Sequence, residues 1–411
     1  MSNSYAVNLR CADKACGKEY EKKDFYVCEY CFGPLEVNYD YKKIKKDLTI
    51  EKILSREKNL WRYKELLPLD SEPTVGLHSG FTPLIKADNL AKKLGVDELY
   101  IKNDGVSFPT LSFKDRVVSV ALSKAKELGF DTVGCASTGN LANSVAAQAT
   151  AANLKSFIFI PSDLEESKII GTSIYGSEVI AVNGAYDDVN RLCTEVLGSK
   201  KWGFVNINLR TYYSEGSKTV GYEIIEQLGW KAPKNIVVCM ASGSLLTKIY
   251  KSVKEFENLG FIRDNQTKIF GAQATGCSPI STAVKNKWST FKPVKPNTIA
   301  KSLAIGNPAD GINAINLLNS IDSYSEDVSD PEIIDAMKLL AETEGIFTET
   351  AGGVTLASAK KLIDSGRIPR NESIVLVITG NGLKTQDPLV NNISKPYIIE
   401  PKIEDFKKIF G

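Results

Sequence analysis

Histidine is nearly missing from this chain: among 411 residues there is one, His78. A metal site built from several histidines is thereby excluded, and a Ser-His-Asp or Cys-His nucleophile system would have to use that single residue. Proton transfer falls to lysine, acidic residues, tyrosine, cysteine or a cofactor. His78 sits in the loop-like stretch LHSGFTP, where a surface or packing role is expected. No apolar run reaches the length of a membrane span, and the polar start MSNSYAVNLR lacks a signal-peptide core, so a cytoplasmic protein is expected. Charge of one sign is also missing. The formal net charge is +2, which gives no push toward nucleic acid, and the short basic cluster at 41–47 reads as a solvated helix face. With 43% hydrophobic and 24% charged residues, the chain is an ordinary globular sequence, long enough for two or three domains.

The cysteines fall into two groups. Cys135, Cys193, Cys239 and Cys277 are scattered through apolar text and read as buried free thiols. The other four crowd the first 31 residues as Cys11-ADKA-Cys16 and Cys28-EY-Cys31. Two such pairs, each on a turn supplied by Gly17 and by Gly33-Pro34, suit one tetrahedral Zn²⁺. Four thiolates leave no open position, so Cys11, Cys16, Cys28 and Cys31 would hold structure and do no chemistry.

Short apolar strands alternate with helices from residue 80 onward. ELYIKND, DTVGCAS, SFIFIPS, SEVIAVNG, GFVNIN, NIVVCMA, KIFGAQA and SIVLVIT read as strands. Helices are expected at 112–128, 140–152, 217–228, 244–257, 331–344 and 353–365, after a lysine-rich helical stretch at 41–67. This is the pattern of an α/β fold with mainly parallel sheets flanked by helices.

Sites in such folds lie beyond the carboxyl ends of the strands. Three joints there share one character: Ser137-Thr-Gly-Asn140, Ser242-Gly-Ser244 and Thr379-Gly-Asn-Gly382. Hydroxyls and free N–H groups at a helix start make an anion cradle. In SFPTLSFKDR, Ser112 is the expected N-cap, which puts Lys114 in the first turn, where the helix field opposes a cation. A lysine there, beside anion cradles in a chain almost free of histidine, suits Schiff-base chemistry on pyridoxal 5′-phosphate. The serine cradle around Gly243 suits the cofactor phosphate, Asn140 the ring hydroxyl, and Thr379 the pyridine nitrogen.

The arrangement resembles the threonine synthases, a family of fold-type-II pyridoxal-phosphate enzymes. Pro109-Thr-Leu-Ser-Phe-Lys-Asp-Arg116 is similar to the family's P-T-x-S-F-K-D-R, and Ala136-Ser-Thr-Gly-Asn140 to its A-S-T-G-N. Gly80-Phe-Thr-Pro-Leu84, Glu215-Gly-Ser-Lys-Thr219, Ile305-Gly-Asn-Pro308, Glu344-Gly-Ile-Phe347 and Leu376-Val-Ile-Thr-Gly-Asn-Gly-Leu-Lys384 continue it in order. The phosphate loop departs from the frequent G-N-G-G-N, reading Ala241-Ser-Gly-Ser-Leu245. Phe108 stands where Asn is frequent, and Tyr213 occupies part of the register in which many members place Arg.

What the resemblance implies is specific. Lys114 would carry the cofactor, with Asn140, Ala241, Ser242, Gly243, Ser244, Leu245 and Thr379 binding it. Thr110, Ser137, Thr138, Asn206 and Arg210 would bind substrate. The reaction would take O-phospho-L-homoserine and water to L-threonine and phosphate by γ-elimination and β-addition. Cysteate-synthase-like replacement on phosphoserine and dehydration of serine or threonine are the enzyme alternatives, and a zinc-ribbon binding module is the alternative outside catalysis. The expected division is a zinc-ribbon-like segment at 1–40, the first part of the cofactor domain at 41–125, a smaller α/β domain at 126–210, and the rest of the large domain at 211–411. A homodimer acting on a small molecule, with no nucleic-acid or membrane partner, completes the expectation.

Overall fold

A computed structural model describes residues 4–13, 15–162, 166–184, 186–263 and 266–411. Six strands form the largest sheet, ordered Ser325–Val328, Lys268–Ala274, Asn235–Cys239, Ile374–Ile378, Leu99–Asn103 and Leu84–Lys86. All neighbours are parallel except the last pair. Asn235–Cys239 and Ile374–Ile378 at its centre are buried at every position. Alternation along one strand shows why: Ile236 and Val238 enter one hydrophobic core, while Val237 and Cys239 enter another on the opposite face. Parallel strands joined by helical crossovers are covered on both sides, and their sequences are continuously apolar for that reason.

A second sheet of four parallel strands is ordered Glu178–Val182, Lys155–Pro161, Thr132–Ala136 and Gly203–Phe204. At the N-terminus, Ala6–Cys11 lies between Glu19–Tyr20 and Leu35–Tyr39 in a small antiparallel sheet. Its inward residues Leu9, Val37 and Tyr39 belong to the same core as Tyr212 and Val220, so the segment is packed onto the body of the protein.

Three expected elements differ. Of GFVNIN, only Gly203–Phe204 pairs as strand. The Asn208 carboxamide oxygen accepts from the Phe204 N–H at 2.7 Å and turns the chain away from the sheet. The lysine-rich stretch is three helical pieces, Tyr41–Asp47, Ile50–Leu54 and the 3-10 turn Leu60–Leu66. Thr49 and Asn59 side chains accept from the Lys52 and Trp61 N–H groups and begin new turns there. The helix expected from 353 starts at Thr350. Among the described residues, no helix is long and apolar enough to cross a membrane.

Candidate active site

The lysine helix runs Lys114–Glu127, and Ser112 does not cap it. Phe113 is the cap residue and makes no side-chain cap bond. Ser112 instead pairs its backbone with Gly380, and its hydroxyl is buried without a hydrogen-bond partner. The cause lies in the loop at 379–384, which ties itself to the segment before the lysine. The Phe113 N–H donates to the Thr379 carbonyl at 2.8 Å, Asn381 N–H to the Leu111 carbonyl at 3.1 Å, and Lys384 Nζ to the Thr110 carbonyl at 2.6 Å. Two joints more than 260 residues apart in sequence thus become one site.

Lys114 Nζ donates to the Tyr213 hydroxyl at 2.8 Å and lies 5.5 Å from the centre of that ring. Tyr213 stands on the short helix Arg210–Glu215. From the same helix Arg210 reaches Asp310 at 2.5 Å, and the Asp310 N–H donates to the Ser242 carbonyl at 3.1 Å. Arg210 is therefore in place beside the serine loop but paired with a carboxylate. Asp310 was not legible as a site residue.

On the opposite side, Asn140 donates to Glu349 Oε2 at 2.9 Å, and the Thr379 hydroxyl to Glu349 Oε1 at 3.4 Å. The two residues expected at the ring thus meet on one buried carboxyl group. Burial pushes the Glu349 carboxyl above its usual range, against the Asn140 hydrogen bond and the Lys384 charge. Glu349 was missed in the sequence, although it lies two residues past the family-like segment Glu344–Phe347 and opens the helix Thr350–Asp364. Gly380 is the reason it fits: a Cβ there would collide with the Glu349 carboxylate.

The remaining expected residues are placed as follows. The Thr110 hydroxyl donates to Asp115 Oδ1 at 2.6 Å and its N–H to Oδ2 at 2.9 Å, so Asp115 orients the loop ahead of the lysine. Asn206 accepts from the Ala136 N–H at 3.3 Å, at the strand end that leads into Ser137 and Thr138. Ser137 and Thr138 are half-buried at that joint. Ala241, Ser242, Ser244 and Leu245 are half-buried around Gly243, whose φ of +95° is left-handed and which faces the Asp310 carbonyl.

This donor set fits pyridoxal phosphate. The helix Ser244–Leu259 opens at Gly243 with no side-chain cap bond, and the Ser244 N–H reaches the Ser242 hydroxyl at 3.5 Å, so N–H and hydroxyl groups together sit where a phosphate would bind. The lysine amine is held by the Tyr213 hydroxyl, and a half-buried carboxamide and the Thr379 hydroxyl meet on Glu349. Replacing Thr379 with Val removes the hydroxyl at nearly constant volume. One buried hydrogen bond is worth about 1 kcal/mol, so cofactor affinity in a fluorescence titration is expected to fall about fivefold, with kcat falling further.

The sulfur atoms of Cys11, Cys16, Cys28 and Cys31 all lie within 4.8 Å of one another. A tetrahedral zinc with Zn–S bonds of about 2.3 Å needs sulfurs roughly 3.8 Å apart. The cluster is compatible with a structural zinc. Metal analysis is expected to give near one zinc per chain, and Cys28→Ser to lose it and loosen the N-terminal segment while cofactor stays bound.

The family described as pyridoxal-phosphate dependent enzymes matches residues 75–380. The threonine synthase of Methanocaldococcus jannaschii is 40% identical over 398 residues, covering 96% of this chain and 97% of that one. The threonine synthase of Methanosarcina acetivorans is 36% identical over 408 residues, covering 98% and 99%. Maize serine racemase superposes with a TM-score of 0.63 at 21% identity, covering 73% of this chain and 88% of that one. Threonine deaminase isoform 2 of Solanum lycopersicum also gives 0.63, at 23% identity, covering 74% and 80%. At those identities the two structures speak for the fold alone.

Proposed function

We propose that this chain, which belongs to the pyridoxal-phosphate dependent enzyme family, is a threonine synthase acting on O-phospho-L-homoserine. The observation that carries the site assignment is the Lys114 amine at the start of its helix, hydrogen-bonded to Tyr213, with the Thr379 joint tied by a backbone hydrogen bond to Phe113 just ahead of it. Bound pyridoxal phosphate supplies an aldehyde that captures amines and a ring that stores the electron pair released at neighbouring carbons.

The chain's own residues do the rest. The N–H groups opening Ser244–Leu259, with Ala241, Ser242, Gly243, Ser244 and Leu245 around them, hold the cofactor phosphate, while Asn140 and Thr379 hold the ring. Lys114 would hold the cofactor through its aldehyde. With the cofactor bound, Lys114 Nζ would move protons at the α and β carbons of the substrate. Thr110, Ser137 and Thr138 face the substrate carboxylate, and Asn206 and Arg210 its phosphate, for which Arg210 exchanges Asp310. Phosphate leaves the γ carbon and water adds at the β carbon, giving L-threonine. Lys102 and Lys218 take no part, since both are fully buried in ion-pair networks. The smaller sheet, with its strands between 132 and 204, forms the separate α/β unit at 126–210 in this reading, and the enzyme works as a homodimer.

Product analysis tests the substrate. Holoenzyme given O-phospho-L-homoserine is expected to release phosphate and threonine in equal amounts. Cysteate from phosphoserine and sulfite, or a keto acid from serine or threonine as the main product, would replace this reading with a replacement enzyme or a dehydratase.

A further inference from the structure

Helix Arg210–Glu215 has six residues, too few to be stable alone, so its position is set by whatever grips it. It has two working faces. Arg210 and Tyr213, three residues apart, face the site; Tyr212 and Glu215, also three apart, face the N-terminal cysteine segment. The Tyr212 hydroxyl donates to the Lys23 carbonyl at 2.8 Å. The Tyr39 hydroxyl, on the last strand of the cysteine segment, donates to Glu215 Oε2 at 2.9 Å. Just ahead of the helix, Asn208 donates to Asp24 at 3.1 Å. Glu215 is completely buried and also receives Lys218 and Lys248, each at 2.7 Å, and Lys248 reaches back to Glu36 at 3.5 Å. The loop bearing Lys23 and Asp24 is the eleven-residue connection between the two cysteine pairs, which a metal at Cys16 and Cys28 would close.

We infer that Tyr213 is a further catalytic residue, holding the Lys114 amine in line through its hydroxyl, and that the cysteine segment is the element that positions it. The proposal rests on the reading of Lys114 as the cofactor's lysine. It makes the N-terminal metal cluster a determinant of active-site geometry, through Tyr39, Lys23 and Asp24, in addition to its local structural role. A rival route exists inside the body: Gly216 lies against the backbone of Arg116 and Val117, where a Cβ would sit 2.8 Å from both the Arg116 carbonyl and the Val117 Cα. If that contact alone fixed the helix, the cysteine segment would be irrelevant to Lys114.

The test uses cofactor-free full-length protein and follows, by visible absorption, the rate at which added pyridoxal phosphate bonds to lysine. Total cofactor bound is read separately by equilibrium dialysis. Tyr213→Phe keeps the ring and removes the hydroxyl. It is expected to slow bond formation roughly fivefold, the worth of one hydrogen bond that aims the amine, and to lower kcat similarly, with bound cofactor, KM and thermal midpoint little changed. Stripping the metal, or Cys28→Ser, is expected to slow the same step in the wild type and to add nothing in the Tyr213→Phe background, the non-additivity of a shared route. The double variant Tyr39→Phe with Tyr212→Phe leaves all four cysteines intact. It is expected to reproduce part of the slowing at unchanged metal content, and it carries the test if Cys28→Ser does not fold. Wild-type rates in Tyr213→Phe, or metal loss that multiplies with it, would overturn the inference. Borohydride reduction followed by peptide mapping separates the two readings: cofactor fixed to another lysine overturns the Lys114 assignment itself.

Discussion

Lys114→Ala is expected to abolish the visible absorption of lysine-bound cofactor and to lower turnover by several orders of magnitude. One side chain both holds the aldehyde and moves protons at two carbons, and general acid–base contributions alone are about 10²–10⁴-fold. Ser242–Ser244, Asn140 and Thr379, the proposed phosphate and ring contacts, stay in place, so the variant is expected still to bind cofactor in a dialysis experiment. Wild-type protein reduced with borohydride is expected to carry the cofactor on the Lys114 peptide. The structure narrows the competitors. Lys102 and Lys218 are fully buried, against Glu223 at 2.6 Å and Glu215 at 2.7 Å. Lys384, whose Nζ lies 2.6 Å from the Thr110 carbonyl, is the one of the three that reaches the site's edge. Cofactor on Lys384, or near-normal turnover in Lys114→Ala, would sink the assignment.

The second large effect is on stability. Two residues after Lys114, Arg116 is completely buried and bonded to Asp104 at 2.7 and 2.8 Å, to Glu223, and to the hydroxyls of Thr82 and Thr219. Lys102 closes the network on Glu223. Arg116→Met leaves two buried carboxylates facing one lysine and is expected to cost about 3–5 kcal/mol in urea unfolding. Arg116→Lys is no mild control either, because an ammonium cannot reproduce the planar fork that spans Asp104 and Glu223. The same network fixes an acid limit. Burial acts to raise the Glu223 carboxyl, but the Arg116 and Lys102 charges overcome it and hold the group at about 2. A folded value below the unfolded one, about 4.3, means that this stabilisation is complete above pH 4.3 and is lost as pH falls toward 2. The urea midpoint is expected to drop across that window. In Glu223→Gln, the part of the drop due to this group disappears; an unchanged slope would locate the acid sensitivity elsewhere.

Much of the proposed site is written in local chemistry. The Ser-Thr-Gly-Asn and Ser-Gly-Ser joints follow apolar strands, and a lysine opens a helix, whichever way the rest of the chain runs. The cysteine pairs declare themselves by spacing, and the fold class by short apolar runs between helices. Ser112 shows where local reasoning stopped. A serine two residues before a helix is a good cap by propensity, yet its backbone is taken up by Gly380, a residue no local rule could bring near. The strand expected from GFVNIN failed for a related reason. β-Branched text promised pairing, but Asn208 bent the chain back onto Phe204 after two residues.

The sequence by itself determined the alternation of strand and helix, a lysine and a Ser-Gly-Ser joint at helix starts, and the four thiols at the N-terminus, because each depends on residues within a few positions of one another. Only the tertiary structure decided that Glu349 joins Asn140 to Thr379, that Tyr213 rests on the lysine amine, that Asp310 holds Arg210, and that the cysteine segment grips the helix carrying Tyr213. Apart from Glu349 and Thr379, which are 30 residues apart, those partners are separated by about a hundred residues or more. Their meeting follows from packing parallel strands edge to edge and burying charge only where an opposite charge or a hydrogen-bonding group is waiting.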